Sequence, residues 1–249
     1  MAIEPDNRSW LPAQWDAPAW VKAGTTTRHG GNSLAPYDNL NLAFHVGDVP
    51  ETVRDNRAFL GKLLDLPSEP VWLDQVHGKH IINNTVPADR EADGIFMEQA
   101  GVVCVIMTAD CVPLLLCNNE GTRVAAIHAG WRGICAGIIS EAISLFADSP
   151  QSIQVWIGPH ISPDNYEVGN DVRDACLETR PNLEQAFTAN TRGRWQADLE
   201  MLVRYDLALN NVNRVYSIDQ CNFSHPDDYY SFRRDGQTGR NASMIWIDK

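Results

Sequence analysis

The sequence predicts one domain of the mixed-sheet α/β or α+β class. Predicted strands and helices are intermixed along the chain, and some neighbouring strands are joined by turns too short to hold a crossover helix. No internal repeat, low-complexity run or linker interrupts the 249 residues, so residues 1–249 are predicted to form a single domain. Neither GxGxxG nor GxxxxGK[ST] occurs, which disfavours a Rossmann or P-loop fold.

The first third of the chain contains few regular elements. Residues 1–20 are predicted to be an irregular segment, because three tryptophans stand among prolines there. Residues 25–32, TTTRHGGN, predict a short strand that runs into a glycine turn. Apolar residues at helical spacing predict a helix from Glu51 to Leu64, which Pro67 and Pro70 end, and extended structure resumes at residues 71–73.

The rest of the chain alternates strands and helices more densely. Strands are predicted over residues 101–107, 113–117, 123–128, 153–157, 214–218 and 243–247, where β-branched and other apolar residues cluster. Helices are predicted from Gly133 to about Phe146, over residues 171–179 and over residues 198–210. The strands at 113–117 and 123–128 are separated only by the turn NNEG, which predicts a hairpin.

Charge and composition exclude several classes of protein. Lys and Arg number 20 against 32 Asp and Glu, a net charge of −12 that disfavours binding to nucleic acid or anionic lipid. An anionic substrate therefore requires a local positive pocket. The longest apolar stretch, residues 102–117, is broken by Asp110 and Pro113 and is too short for a membrane span. The N-terminus lacks the pattern of a secretory signal, so we expect a cytoplasmic protein.

The six cysteines are therefore not expected to form a disulfide framework. None belongs to a CxxC pair, so a functional cysteine is expected to be a thiolate ligand or a nucleophile. His77, Cys111 and His128 each lie where a predicted extended segment meets a polar turn. A catalytic zinc site typically has three protein ligands, and these two histidines and one cysteine would make such a site. Their spacings of 34 and 17 residues are no metal signature. A buried thiol with two hydrogen-bonded histidines remains the alternative.

Two further segments carry positive charge. The sequence HAGWRG at 128–133 opens a predicted helix, where free N–H groups and Arg132 favour a phosphate or an oxyanion. The alternative is that its glycines serve turn geometry and Arg132 pairs with a surface carboxylate. The basic turn at residues 233–240 either brings guanidinium groups to a phosphate-bearing substrate or pairs internally across Asp235, and the second reading is favoured.

A series of motifs strongly resembles the laccase-domain family over residues 20–247. The family was first called multicopper polyphenol oxidase, then purine nucleoside phosphorylase, and in enteric bacteria peptidoglycan editing factor. The motifs are TRHGG (27–31), PYDNLNL (36–42), HVGD (45–48), NR (56–57), QVHG (75–78), TADCVP (108–113), AIHAGWRG (126–133), GP (158–159) and SFRRD (231–235).

The resemblance implies an α/β/β/α layered fold related to the cytotoxic necrotizing-factor deamidases. It also implies zinc bound by His77, Cys111 and His128, with copper possible in vitro, and a catalytic role for these three residues. The implied reactions are phosphorolysis of adenosine, inosine, guanosine and methylthioadenosine and deamination of adenosine. The implied partners are therefore purine nucleosides and inorganic phosphate, and the sequence predicts no oligomeric state.

Roles beyond the metal ligands are less determined. Arg57, Arg132 and Asn41 are candidate substrate or phosphate residues, and Asp93 or Asp110 is a candidate to orient a metal-bound histidine.

Two other chemistries compete with the phosphorylase. Cys111 and His128 also suit a nucleophile–base pair in an amidase or other hydrolase that acts on peptidoglycan precursors. A multicopper oxidase is less favoured, because its copper clusters need many histidines, usually in His-x-His pairs, and the chain has seven histidines and no such pair.

Overall fold

The computed structural model describes residues 7–248. The strands are β1 (Trp10–Pro12), β2 (Val21–Thr26), β3 (Ile81–Asn83), β4 (Gly94–Met97), β5 (Cys104–Thr108), β6 (Val112–Asn118), β7 (Val124–Ala129), β8 (Ile153–Ile157), β9 (Glu167–Val168), β10 (Phe187–Ala189), β11 (Trp195–Ala197), β12 (Arg214–Ser217) and β13 (Asn241–Ile247). The α-helices are α1 (Pro50–Leu63), α2 (Trp131–Ala136), α3 (Ile138–Phe146), α4 (Asn170–Thr179), α5 (Leu199–Leu209) and α6 (Phe232–Asp235). Short 3₁₀ turns lie at Phe44–Val46, Pro150–Ser152, Pro163–Asn165 and Glu184–Ala186.

Three sheets organise these elements. The largest has the strand order β12-β8-β6-β7-β4-β3 and is mixed, because its outer pairs are parallel and its inner pairs antiparallel. The second, β1-β2-β13-β5, is antiparallel throughout, as is the small sheet β10-β11-β9. The predicted mixed-sheet class is therefore confirmed.

Three apolar clusters show how the layers stack. One cluster fills the space between the six-stranded sheet and helices α2–α5. The second lies between the six-stranded and four-stranded sheets, and the third packs α1 against the far face of the four-stranded sheet. The order of layers is helices, sheet, sheet, helix, as the family resemblance implies.

Strand β6 shows why the sequence of the central sheet is continuously apolar. Leu114 and Leu116 belong to the cluster beneath the helices, whereas Leu115 and Cys117 belong to the cluster between the sheets. Because alternate side chains enter different cores, both faces of this strand must be apolar. The same burial holds the two ends of the β6–β7 hairpin in fixed positions.

Some elements differ from the sequence prediction. Within residues 1–20, Trp10–Pro12 pairs with β2 as a strand, and residues 1–6 lie outside the described part of the chain. Residues 71–73 make an isolated bridge at Val71 rather than a strand. The predicted helix after Gly133 is two helices, because Gly137 takes a left-handed conformation with φ of +90° between α2 and α3.

The cysteine prediction also needs a correction. Cys135 and Cys176 form a disulfide that joins α2 to α4, although the cysteines were not expected to form a disulfide framework. The two cysteines are 41 residues apart in sequence and meet only because these helices pack together, so no local spacing signals the pair. Cys104 and Cys117 are buried free thiols, and Cys111 and Cys221 are free and half-buried. Among residues 7–248, no helix combines the length and apolar character needed to cross a lipid bilayer.

Candidate metal centre

The β6–β7 hairpin brings Cys111 and His128 together. Cys111 directly precedes β6, and His128 is the next-to-last residue of β7, opposite Pro113 in the antiparallel ladder. His77 comes from the loop between α1 and β3. Gln75 fixes this loop to β5, because its side chain donates to the carbonyl of Met107 at 2.8 Å and accepts from the N–H of Met107 at 2.7 Å.

The three side chains predicted as ligands converge. One potential ligand atom from each of His77, Cys111 and His128 lies within 4.8 Å of the others. Cys111 Sγ is 3.9 Å from His77 Nε2, and the two imidazole rings meet edge to face with centroids 4.8 Å apart. His128 is buried, Cys111 half-buried and His77 exposed, so the cluster opens toward solvent on the side of His77.

Asp93 organises two of these residues from a fully buried position. Its Oδ1 accepts from His128 Nδ1 at 2.7 Å and from the N–H of His77 at 2.9 Å, while Oδ2 accepts from the N–H groups of Gly78 and Val76. Because Nδ1 of His128 is engaged, Nε2 is left to face the cluster. Asp93, rather than Asp110, therefore orients the histidine. Burial opposes ionisation of Asp93, but His128 and the backbone N–H groups of Gly78 and His77 hold the pKa of this carboxyl below its usual value.

The electrostatics of the cluster favour a thiolate. Burial raises the pKa of Cys111, but the opposing effect of His128 and His77 is larger and lowers it to about 6. Burial likewise opposes protonation of His128, yet Cys111 and Asp93 raise its pKa to about 9. A thiolate is the form of cysteine that binds metal ions and the form that acts as a nucleophile.

Gly130 leaves room for these side chains. A Cβ built at this position would lie 3.0 Å from His77 Cδ2 and 3.1 Å from Cys111 Sγ, and one at Gly133 would lie 2.7 Å from the carbonyl oxygen of Gly78. The two glycines of HAGWRG therefore serve the close approach of the ligand loops. The helix they open, α2, has only six residues.

We expect Gly130→Ala to weaken the binding of a metal ion such as zinc at this cluster about tenfold, because the new methyl group must displace His77 or Cys111. Competitive titration with a chromophoric chelator measures this change. Gly61→Ala is the matched control, since a Cβ at Gly61 in α1 meets nothing within 4 Å. The control should leave zinc affinity unchanged and stabilise the helix by roughly 0.5–1 kcal/mol. Equal zinc affinity in both variants would contradict the assigned role of Gly130.

The cluster lies at one wall of a cavity of about 420 Å3. Three arginines line it, against the single carboxylate of Asp110, although the chain as a whole is acidic. Aromatic and apolar side chains form much of the remaining wall. The lining side chains used below are Met107, Trp131, Arg132, Tyr166, Phe232, Arg233 and Arg240.

Of the predicted substrate residues, only Arg132 lines this cavity. The Arg57 guanidinium stacks on the rings of Trp72 at 3.6 Å and Phe44 at 4.4 Å, and its Nε donates to the carbonyl of Leu42. Asn41 is fully buried, and its Oδ1 accepts from the N–H of Arg240 at 3.1 Å. These positions do not favour direct contact of Arg57 or Asn41 with a substrate.

Sequence reasoning did not select Tyr166, Arg233 or Arg240 as site residues. The basic turn had flagged both arginines, but its favoured reading was internal pairing across Asp235. Arg234 does pair with Asp235, at 2.7 Å, whereas Arg233 lies over the Tyr166 ring and its N–H donates to Asp110 Oδ2. Tyr166 stands in no motif, so only the fold reveals its position.

The sequence matches a known family and several known proteins over most of its length. Residues 22–248 match the model of the family described as multi-copper polyphenol oxidoreductase laccase. The protein named purine nucleoside phosphorylase YfiH from Escherichia coli K12 is 45% identical over 236 residues, which cover 94% of this chain and 97% of that protein. A Pseudomonas aeruginosa protein, also named a purine nucleoside phosphorylase, is 42% identical over 96% of this chain and 98% of its own.

A solved structure shares the fold. The crystal structure of a Neisseria meningitidis protein assigned to DUF152 superimposes with a TM-score of 0.92 at 41% identity and covers 97% of this chain and 100% of that one. The family model and the relatives each cover nearly the whole length of the chain. The chain therefore belongs to the multi-copper polyphenol oxidoreductase laccase family.

Proposed function

We propose that this protein is a zinc-dependent purine nucleoside phosphorylase that acts on adenosine, inosine, guanosine and methylthioadenosine, with deamination of adenosine as a second activity. The observation that carries the proposal is a His–Cys–His cluster that opens into a cavity lined by arginines and aromatic rings. Relatives with 42–45% identity are named purine nucleoside phosphorylases, which supports the reaction class. A cytoplasmic location is part of the proposal.

The donor set of His77, Cys111 and His128 fits zinc. Zinc accepts imidazole nitrogen and thiolate sulfur, and catalytic zinc sites have three protein ligands with a fourth position for water or substrate. The lowered pKa of Cys111 and the orientation of His128 by Asp93 both suit a ligand role. When bound, zinc supplies a Lewis acid that polarises a coordinated group or lowers the pKa of a coordinated water.

The cavity residues suit binding of a nucleoside beside an oxyanion. Trp131, Tyr166 and Phe232 provide aromatic surface for a purine ring, and the arginines provide charge-assisted donors for phosphate. In phosphorolysis a phosphate oxygen forms a bond to C1′ of the ribose as the C1′–N9 bond breaks. The bonding electron pair leaves with N9, and the purine gains a proton, so that ribose 1-phosphate and free base are formed.

The proposal is tested by metal analysis together with an assay for free base. Protein purified without chelator should contain one zinc ion per chain, since one such cluster is found within residues 7–248. It should release base from inosine and adenosine only when phosphate is present. Removal of zinc should abolish this release and added zinc should restore it. Full activity of metal-free protein, or base release that does not depend on phosphate, would overturn the proposal.

A cysteine-dependent amidase is the second candidate, and one observation favours it. Asp93, His128 and Cys111 are arranged in the order of a carboxylate, base and nucleophile, with 2.7 Å between Asp93 Oδ1 and His128 Nδ1. The position of His77 beside Cys111 Sγ favours the metal site instead, because a nucleophile–base pair needs no second imidazole. A thiolate bound to zinc is not free to attack an amide, so metal content distinguishes the two.

A copper-dependent polyphenol oxidase is less supported. Its mononuclear site and trinuclear cluster need several ligand groups, and residues 7–248 contain a single group of three candidate ligands at this spacing.

A further inference from the structure

Arg240 is held rigidly at the wall of the cavity. Its Nη1 donates to the carbonyl oxygens of Thr238 at 3.0 Å and Gly239 at 2.9 Å, and its backbone N–H donates to Asn41. Two hydrogen bonds to fixed carbonyls orient the planar guanidinium group. The guanidinium group is therefore pre-organised for binding a ligand.

Arg240 forms no ion pair with a carboxylate in the described structure. Arginines elsewhere form ion pairs, for example Arg123 with Glu98 and Arg180 with Asp206. Arg132, Arg233 and Arg240, the arginines of the cavity, form no ion pair with any carboxylate of residues 7–248. Asp110 and Cys111 offset only part of the cost of burying the charge of Arg240, since its pKa stays below the usual value. A bound anion would offset more of that cost.

The remaining donors of Arg240 are also open. Its Nε and Nη2 make no hydrogen bond with residues 7–248, and neither atom is sealed from solvent. Two adjacent N–H edges of a guanidinium match two oxygens of a tetrahedral oxyanion. The Arg132 guanidinium, by comparison, lies over its neighbouring Trp131 ring at 4.5 Å on an exposed surface.

Arg240 also stands where two cavities meet. A second cavity of about 400 Å3 is lined by the 236–238 segment and shares His45, Phe232 and Arg240 with the cavity of the metal cluster. A group held by Arg240 therefore lies at one end of the first cavity and is also reached from the second. The charge of Arg240 also reaches both neighbouring sites. Burial, and then the charge of Arg240, lowers the pKa of His45. Burial lowers the pKa of Arg240 itself, and the charges of Asp110 and Cys111 partly oppose this effect.

We propose that Arg240 binds the phosphate oxyanion used in the reaction, with its free Nε and Nη2 groups as donors and His45 beside it. The proposal rests on the proposed function for the identity of the ligand, but the site itself follows from the unpaired guanidinium. Two sources share this chemistry: inorganic phosphate, and the phosphate ester of a nucleoside 5′-monophosphate. Asn41 is then a positioning residue, since it holds the backbone of Arg240.

The test is direct binding of inorganic phosphate to the zinc-loaded protein by titration calorimetry, which needs no turnover. Arg240→Gln should weaken phosphate binding about 10- to 100-fold, as expected for loss of a charge-assisted pair of hydrogen bonds. The KM for phosphate should rise by a similar factor, while binding of inosine changes less than about twofold. Arg54→Gln is the matched control, because Arg54 is an exposed residue of α1 with the same charge.

A parallel titration with adenosine 5′-monophosphate distinguishes the two sources. Weaker binding of inorganic phosphate assigns the site to the free ion. Weaker binding of the monophosphate, with inorganic phosphate unchanged, assigns it to the ester and still supports an oxyanion site at Arg240. Unchanged binding of both ligands in a folded Arg240→Gln variant would overturn the proposal.

Two further measurements keep the outcome clear. If Arg240→Gln does not fold, Arg240→Lys carries the test, because lysine keeps the charge but presents no planar pair of donors. The lysine variant should bind phosphate several-fold more weakly than the wild type, and unchanged binding would again overturn the proposal. If the wild type binds phosphate through Arg240 but releases no base from nucleosides, the proposed function fails while the oxyanion site stands.

Discussion

Replacing Cys111 with serine should remove most of the bound zinc and lower base release from inosine by more than about 100-fold. Replacing a residue that only hydrogen-bonds to a metal ligand typically lowers metal affinity or activity by about 10- to 100-fold. Loss of a ligand itself is expected to have a larger effect. A serine hydroxyl is not a thiolate and cannot replace its charge at neutral pH. Zinc content by elemental analysis and the initial rate of base release measure the two effects together.

Cys221→Ser is the matched control, because Cys221 is the other half-buried free thiol within residues 7–248. It lines a different cavity, beside His160 and His225, so zinc content and activity should remain at the wild-type level.

Alkylation provides an independent readout. Iodoacetamide should modify Cys111 only after zinc has been removed. Rapid modification of zinc-loaded protein at Cys111 would contradict the ligand role and favour the cysteine nucleophile.

The Asp93→Asn substitution should lower zinc affinity by about 10- to 100-fold. It should also lower the free energy of unfolding by about 1–3 kcal/mol. Both carboxylate oxygens accept hydrogen bonds, one from His128 and the N–H of His77, the other from the N–H of Gly78. An asparagine turns one acceptor into an NH2 group that faces another donor. Either the histidine or the loop then loses its partner inside a buried site, where water does not replace it.

Asp89→Asn controls for the loss of charge. Asp89 lies in the same loop region and is exposed, and its carboxylate accepts from the N–H of Glu91. Chemical denaturation should show unchanged stability for this variant, and chelator competition should show wild-type zinc affinity. If Asp93→Asn binds zinc as tightly as Asp89→Asn, the orientation of His128 does not depend on the carboxylate.

The three candidate metal ligands were predictable because they lie at element boundaries that the sequence itself marks. Apolar runs end at Cys111 and His128, and QVHG sets His77 in a turn. Their convergence was not predictable from spacing, because the distance between them depends on how the loop before β3 docks on the hairpin. That docking rests on Gln75 and Asp93, whose hydrogen bonds to backbone groups leave no periodic pattern in sequence.

The candidate phosphate residues show the opposite case. Arg57 and Asn41 stand in motifs that match the family, but the structure places Arg57 between aromatic rings and Asn41 in the interior. A motif identifies a residue that matters without saying whether it touches a ligand or holds another residue. Arg240 was visible only as part of a basic turn, and its lack of an ion-pair partner requires coordinates.

Among the elements, local patterns predicted α1, β6, β7 and β8 well, because their apolar periodicity is strong. The division into α2 and α3 was missed, since a glycine within a helical pattern does not reveal its φ angle. The strand at Trp10–Pro12 was missed because its partner, β2, is the only reason that this proline-flanked segment is extended.

The hairpin that joins Cys111 to His128 has a consequence for how the site tolerates change. Which residues of β6 and β7 pair depends on the register of the two strands. The register does not change when both strands become longer or shorter by the same number of residues at the turn. A longer or shorter tip beyond Asn118 would therefore move the turn of the hairpin and leave Cys111 and His128 close together at its open end. The number of residues between Cys111 and His128 can therefore vary, while the pairing of His128 with Pro113, two residues after Cys111, cannot.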